Sequence, residues 1–345
     1  MRILIVGSDK IYAIENFYRK YLAELGQDVQ LFTAQNYFYE FYQKSVLNKL
    51  LYKAALSGIL NKINRLFKAE VTRFKPDVIW IFKGMEIKPG SLEWAKRQNI
   101  KLVNYNPDNP FIFSGRGSGN VNVTRSISIY DLHFTYNLSV KEKIEKDFKI
   151  PTNFLPFGYD LSKELFEICA SQEEILKLCF AGNPDKDRAE FIENMAKGGI
   201  QIDVFGNNWD RFVRHPNITV FEPVYGEIFW KVLRRYRVQL NLMRVHNEDS
   251  HNMRSFEVPA VGGIMLAPDT REHKLFFENG LEAFWFGDIQ NAIDKANYIL
   301  SLNKKEIDKI RGNARLRSIQ SGYSYQHRAK EALSELNKFK FQILN

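Results

Sequence analysis

Arg254 and Glu257 stand three residues apart in the run HNMRSFEVPAVGGIMLA, residues 251–267, and on a helix that spacing puts both on one face. A guanidinium is a planar fork matched to phosphate oxygens, and the unpaired N–H groups at a helix start carry partial positive charge. An anion is the natural ligand of such a tip. A carboxylate one turn deeper repels the anion itself but accepts hydrogen bonds from neutral hydroxyls attached to it. Phosphate at the tip and ribose at the carboxylate describe a nucleoside diphosphate. The same spacing also fits an ordinary helix with an Arg–Glu surface pair.

A second group of candidates follows the strand-like run LKLCFA at 176–181. Gly182 and Asn183 let the backbone turn under a ligand, Pro184 and Asp185 suit a helix start, and Lys186 and Arg188 would face an anion from its first turn. The triplet Asp185-Lys186-Asp187 mimics a D-x-D metal motif, but an aspartate at a helix start is what capping alone requires. No metal and no cofactor are expected. Trp209, with Val220 and Tyr225, offers an aromatic and apolar wall for a nucleotide base, or equally a core aromatic. His246 and His251, in the polar loop 244–252, can donate to phosphate.

Elsewhere, DVIWIF at 77–82 ends at Lys83, and KLVNY at 101–105 leads to Asp108 between two prolines. In open parallel sheets ligands bind beyond the carboxyl ends of strands, so Lys83 and Asp108 fall on the binding edge. Asp108 is the candidate acid/base or acceptor-hydroxyl contact; ordinary turn chemistry also explains an aspartate there. The run GRGSGN, 115–120, lacks the Lys-Ser/Thr ending of a phosphate loop and reads as a loop over the site, with Arg116 as an anion contact.

These residues need a scaffold that presents loops at strand ends, and the pattern supplies one. RILIV at 2–6, a turn at Gly7 and Ser8, helical periodicity over 11–25 and the strand QDVQLFT form a Rossmann-type opening without the dinucleotide fingerprint G-x-G-x-x-G. Further strands are expected at DLHFTY, IQIDVFG, ITVFEPV, QLNLM, IMLA and residues 282–286, with helices between them. In the central unit, Ser250 or Asn252 is available as N-cap and Gly262-Gly263 as helix stop. The class is α/β with parallel sheets. At 345 residues, two domains of roughly 150–170 residues are the prior.

The net charge of +9 calls for an anionic partner. No nucleic-acid module is recognisable, so nucleic acid is not expected. Residues 37–75 carry eight cations against Glu40 and Glu70, interleaved with Tyr, Phe and Leu. That stretch reads either as an amphipathic surface held against anionic lipid or as one long helix covering the sheet with a solvated lysine face. Two cysteines, Cys169 and Cys179, make no disulfide framework, and no run reaches the ~18 apolar residues of a spanning helix; a cytoplasmic protein, peripheral at the inner membrane face in the lipid reading, is expected.

The string MRSFEVPAVGGIMLAPD, followed by KLFFENGLEAFWF, resembles the C-terminal half of glycosyltransferases of GT-B architecture, in particular the group typified by the spore maturation protein CgeB with its R-x-F-E-x-P-A-x-G-G run. The resemblance implies two Rossmann-like domains with parallel sheets facing across a cleft. It implies an acceptor-side domain over 1–158, a nucleotide-sugar domain over 159–323 and a final helix, 324–345, returning to the first. It implies transfer of a sugar from a nucleotide diphosphate sugar to a glycan, lipid-linked or protein acceptor without metal. Glu257 would hold the ribose, Gly182 and a following basic residue would meet the diphosphate, and Gly7 and Ser8 would line the acceptor side. Where many GT-B enzymes carry another acid eight positions before the ribose glutamate, this chain has Asp249. The rival from another class is a two-domain protein that binds a small anionic ligand without chemistry.

Overall fold

Short, wholly buried runs such as VIWIF (78–82) and YRVQL (236–240) can be strands only in sheets covered on both faces, and the chain builds two of them. The structure, a computed structural model, describes residues 1–54, 56–112, 120–244, 247 and 249–341. The expected sites at Arg116 and His246 lie outside the described residues. The chain divides into two compact units, one of residues 1–156 with 325–345 and one of residues 157–324.

In the first unit β1 (Arg2–Val6), β2 (Asp28–Phe32), β3 (Val78–Phe82), β4 (Lys101–Asn106), β5 (Leu132–Thr135) and β6 (Thr152–Phe154) form one parallel sheet in the order β2-β1-β3-β4-β5-β6. Period-two alternation sorts its faces. Leu4, Val6, Ile79 and Ile81 pack with Ile63, Phe67 and Val71 of the helix Ile59–Phe74. Among the other side chains of β3, the Trp80 and Phe82 rings meet Tyr18 of the helix Ile14–Glu24, and Tyr18 meets Tyr325 of the helix Tyr325–Phe341. Strand β6, inside a stretch that reads as a Pro/Gly-containing connection, adds a sixth strand to the expected five.

The expected long helix over 37–75 is three helices, Ala34–Lys44, Val46–Lys53 and Ile59–Phe74. Ser45 is extended (φ −159°) and its side chain accepts from the Asn48 N–H, which starts a new helix; Gly58 at φ +61° starts the third.

The second unit comprises β7 (Ile175–Ala181), β8 (Ile202–Phe205), β9 (Ile218–Phe221), β10 (Tyr236–Leu240), β11 (Met265–Pro268) and β12 (Phe284–Phe286) in the parallel order β12-β11-β10-β7-β8-β9. Leu178, Val204, Val238 and Leu240 pack with Ile192, Met195 and Ile299 of flanking helices. Both cysteines are buried and free. Among the described residues no helix is long and apolar enough to cross a membrane.

Candidate nucleotide-diphosphate site

Each sheet reverses its strand order beside its first strand, between β1 and β3 in the first unit and between β7 and β10 in the second. Loops leaving two neighbouring strands in opposite directions open a crevice at such a point. In the second unit the flanking loops are 182–185, after β7, and 241–252, after β10.

The first loop is held from below. The Gly182 N–H donates to the Phe205 carbonyl at 2.8 Å, and the Gly182 carbonyl accepts from the Trp209 indole at 2.8 Å. A Cβ on Gly206 would stand 2.3 Å from the Gly182 oxygen, so glycine is required where the two loops touch backbone to backbone. Asn183 Oδ1 accepts from the Asn207 N–H at 3.0 Å. Trp209 is therefore corrected from a base-stacking wall to a support: it is fully buried, with no ring face open to a base.

Arg188 crosses between the loops. Its guanidinium donates to the carbonyls of Asn183 (3.2 Å) and Leu242 (2.8 Å) and lies 3.6 Å from Asp185, which caps the helix Lys186–Lys197. Burial pushes the Arg188 guanidinium down to about 10, and the charges of Arg244 and Arg254 push the same way against Asp185. Arg188 and Arg254 thus hold the two sides of the crevice, at the Leu242 and Ala181 carbonyls, and Arg244 is near enough for its charge to bear on Arg188. Arg244 was not singled out in the sequence, where nothing but its place just past β10 marks it. Lys186 is exposed at the helix start.

Arg254 donates from Nε to the Ala181 carbonyl at the end of β7 (3.2 Å), pairs with Glu257, and stands over the Phe229 ring at 4.3 Å. Glu257 is 7% exposed; burial pushes its carboxyl up and the Arg254 charge pulls it back. Among the described residues Arg254 is its one partner, so the pair joins a buried carboxyl to a half-buried guanidinium rather than forming the solvated surface pair that the spacing also allowed.

Two details of the expected helix tip are corrected. The helix Arg254–Ala260 has Met253 at its N-cap and no side-chain cap, because Ser250 donates to Glu272 and Asn252 donates to Asn241. The N–H groups of Ser255, Phe256 and Glu257 already donate to the carbonyls of Asn252 and Met253, so side chains rather than helix amides carry the positive potential there. His251 is fully buried and pairs with Glu272 at 2.5 Å, and Asp249 accepts from the Arg271 N–H, 22 residues on in the segment after β11.

On the first unit's edge, Lys83 Nζ lies 2.7 Å from Asp108 Oδ2, each about one-fifth exposed. Ser8 is buried, its hydroxyl donating to Asn36 and its N–H to Glu15 Oε1 at 3.1 Å. A Cβ on Gly7 would stand 2.3 Å from that carboxylate oxygen, so Gly7 makes room for Glu15. Glu15 and Glu86, both missed in the sequence, are buried and pushed up to about 7 by desolvation, with the Lys83 charge opposing the shift in each. The signal for Glu15 was an acid just after a glycine turn, on a helix otherwise read for its apolar face. Among the described residues no group of three or more His, Cys, Asp or Glu is arranged to hold a metal ion.

Comparison with solved structures places this architecture. Sucrose-phosphate synthase from Thermosynechococcus elongatus matches with a TM-score of 0.69 at 12% identity, covering 99% of this chain and 100% of that one. HepE from Anabaena in complex with UDP-glucose matches with a TM-score of 0.65 at 12% identity over 98% and 100% of the two chains. The trehalose 6-phosphate synthase of Burkholderia multivorans gives 0.65 at 11% identity over 99% of each. The fold is the GT-B fold. Residues 188–334, which hold Arg188, Arg244, Arg254 and Glu257, match a family model described as glycosyl transferase-like. No curated protein sequence matches the chain.

Proposed function

We propose that the protein is a glycosyltransferase of the CgeB-like group that moves a sugar from a nucleoside diphosphate sugar to an acceptor hydroxyl on a glycan, lipid-linked or protein acceptor. The observation that carries this is the placing of Arg188 and Arg254 on the Leu242 and Ala181 carbonyls at the β7/β10 crevice, beside the buried carboxyl of Glu257. HepE, with the same fold, is described in complex with UDP-glucose, which supports a nucleotide sugar as donor.

In this reading the bond between the anomeric carbon and the diphosphate oxygen breaks while the acceptor oxygen bonds to that carbon. The diphosphate leaves with an additional negative charge, which Arg254, Arg244 and Lys186 neutralise without a metal. Arg188, engaged by two carbonyls, holds the loops in register and adds its charge from behind. Glu257 accepts from the ribose hydroxyls through the oxygen that Arg254 leaves open. Asp108, fixed by Lys83, receives the acceptor proton or orients the acceptor. The reaction belongs in the cytoplasm, where nucleotide sugars are made.

A melting screen across nucleoside diphosphates, followed by release of nucleoside diphosphate from the matching sugars with and without chelator, tests the reading. Stabilisation by one nucleotide and chelator-resistant release are expected. Stabilisation without turnover would make the protein a binder, and neither effect with any nucleotide would end the proposal.

A further inference from the structure

Of the three helices between β2 and β3, the third is core: Ile59, Ile63, Phe67, Val71 and Phe74 are buried. The middle helix, Val46–Lys53, buries no residue at all. Its Tyr52 packs on Phe38 of the preceding helix, ring centroids 4.8 Å apart, which fixes one face inward. The opposite face is apolar and bare. Val46, Leu47 and Leu50 are 72%, 63% and 57% exposed, and Leu56 just beyond is 74% exposed. At about 100° per residue Val46, Leu50 and Leu47 fall within one ~100° arc, with Lys49 and Lys53 on its flank.

Bare aliphatic side chains at this density on a surface helix mark a contact with something apolar, and the lysines name its charge. Lys44, Lys53 and Lys62 have no acidic partner among the described residues, and Glu40 is the one acid close by in sequence. A groove of about 410 Å³ opens between the first and third helices, with Phe41, Ile63 and Leu66 in its wall and Glu40, Lys44 and Lys62 beside them, so its charged rim carries two lysines against one acid. An aliphatic strip flanked by unpaired lysines is complementary to acyl chains beneath anionic headgroups.

We propose that the helix Val46–Lys53 and Leu56 insert into the headgroup region of an anionic phospholipid bilayer, with Lys44, Lys53 and Lys62 against lipid phosphates. The segment is tied to the first unit's binding edge. Its first helix begins at Ala34, and Asn36 accepts from the Ser8 hydroxyl and donates to Asp9 in the loop after β1. Membrane docking would therefore present that edge to molecules anchored in the same bilayer. Docking itself does not depend on the transferase reading, since it is measured without nucleotide.

The test is co-sedimentation of the full chain with vesicles of phosphatidylcholine alone or mixed with phosphatidylglycerol. Binding to the mixed vesicles that weakens with added salt, and at least tenfold less binding to phosphatidylcholine, is expected. The double variant Leu47→Glu/Leu50→Glu should lose binding at least tenfold while keeping its melting temperature and its rate of nucleotide-sugar hydrolysis in solution. Lys44→Ser/Lys53→Ser/Lys62→Ser should bind more weakly and with a shallower salt dependence. Absence of wild-type binding, equal binding by the leucine variant, tighter binding to duplex DNA than to vesicles, or a self-associated wild type made monomeric by Leu47→Glu would each overturn it.

Discussion

Arg254 is shared between Glu257, with which it forms an ion pair, and the Ala181 carbonyl, to which its Nε donates at 3.2 Å. The carboxylate thereby holds the guanidinium at the end of β7 while one carboxylate oxygen stays open. Glu257→Ala is expected to weaken nucleoside diphosphate binding about tenfold, from lost ribose hydrogen bonds and a freed Arg254. Titration calorimetry with the nucleotide found by the melting screen reads this directly. Glu257→Gln should recover part of the loss, because the amide oxygen still accepts. Unchanged affinity in the alanine variant would remove Glu257 from the site.

Trp209 makes a different kind of claim. Its indole N–H satisfies the Gly182 carbonyl in the loop after β7, so Trp209→Phe keeps an aromatic, though smaller, side chain and leaves that carbonyl without its donor. A stability loss of about 1–3 kcal/mol is expected. If that loop meets the diphosphate as proposed, affinity for uridine and guanosine diphosphates should shift by the same factor. A base-dependent shift, read by titrating both nucleotides, would restore the stacking role that burial argues against.

The central site was legible where chemistry and spacing coincide. Arg254 and Glu257 at i and i+3 on a short helix meet as the helical spacing requires, and the buried strands announced parallel sheets. What stayed hidden depends on contacts far apart in sequence. Arg188 looked like a free cation because nothing local shows that the Leu242 carbonyl, 54 residues on, takes its guanidinium. Trp209 looked like a binding aromatic because Gly182, 27 residues earlier, is its partner. The three-helix break at Ser45 and Gly58 was readable from capping chemistry, but the continuous amphipathic pattern across 37–75 masked it.

On the first unit's edge Asp108 is held by Lys83 at 2.7 Å. Asp108→Asn keeps the shape and removes the proton acceptor, so kcat for sugar transfer should fall by roughly 100-fold or more with nucleotide affinity unchanged. Lys83→Met should lower kcat as well, since it releases the carboxylate. Initial rates of nucleoside diphosphate release, set beside calorimetric affinities, separate the two quantities. Equal loss in both would make Asp108 a structural residue of the unit rather than a participant in transfer.

Glu15 gives a pH signature of defined sign. Its carboxyl is pushed up to about 7 by burial, above the ordinary carboxyl value of 4.5, so between those values the folded chain holds a proton that the unfolded chain has lost. Protonated Glu15 is therefore neutral in stability below about pH 4.5, and the cost of burying its charge grows as pH rises to about 7, reaching about 3 kcal/mol as an upper bound. Glu86, shifted to the same value, adds a cost of the same sign. His133 and His273, both pushed down to about 4 by burial, act oppositely, and stability from them rises with pH up to their ordinary range. The wild-type profile sums these contributions, but the difference between wild type and Glu15→Gln cancels all except Glu15 and its coupling to Glu86. The variant should match the wild type at pH 4.5 to within the cost of a changed hydrogen bond, gain on it up to about pH 7 and hold that gain at pH 8. Denaturant unfolding at pH 4.5, 6 and 8 measures that gap, and a gap that stays flat across the range would mean that Glu15 keeps its charge in the folded chain.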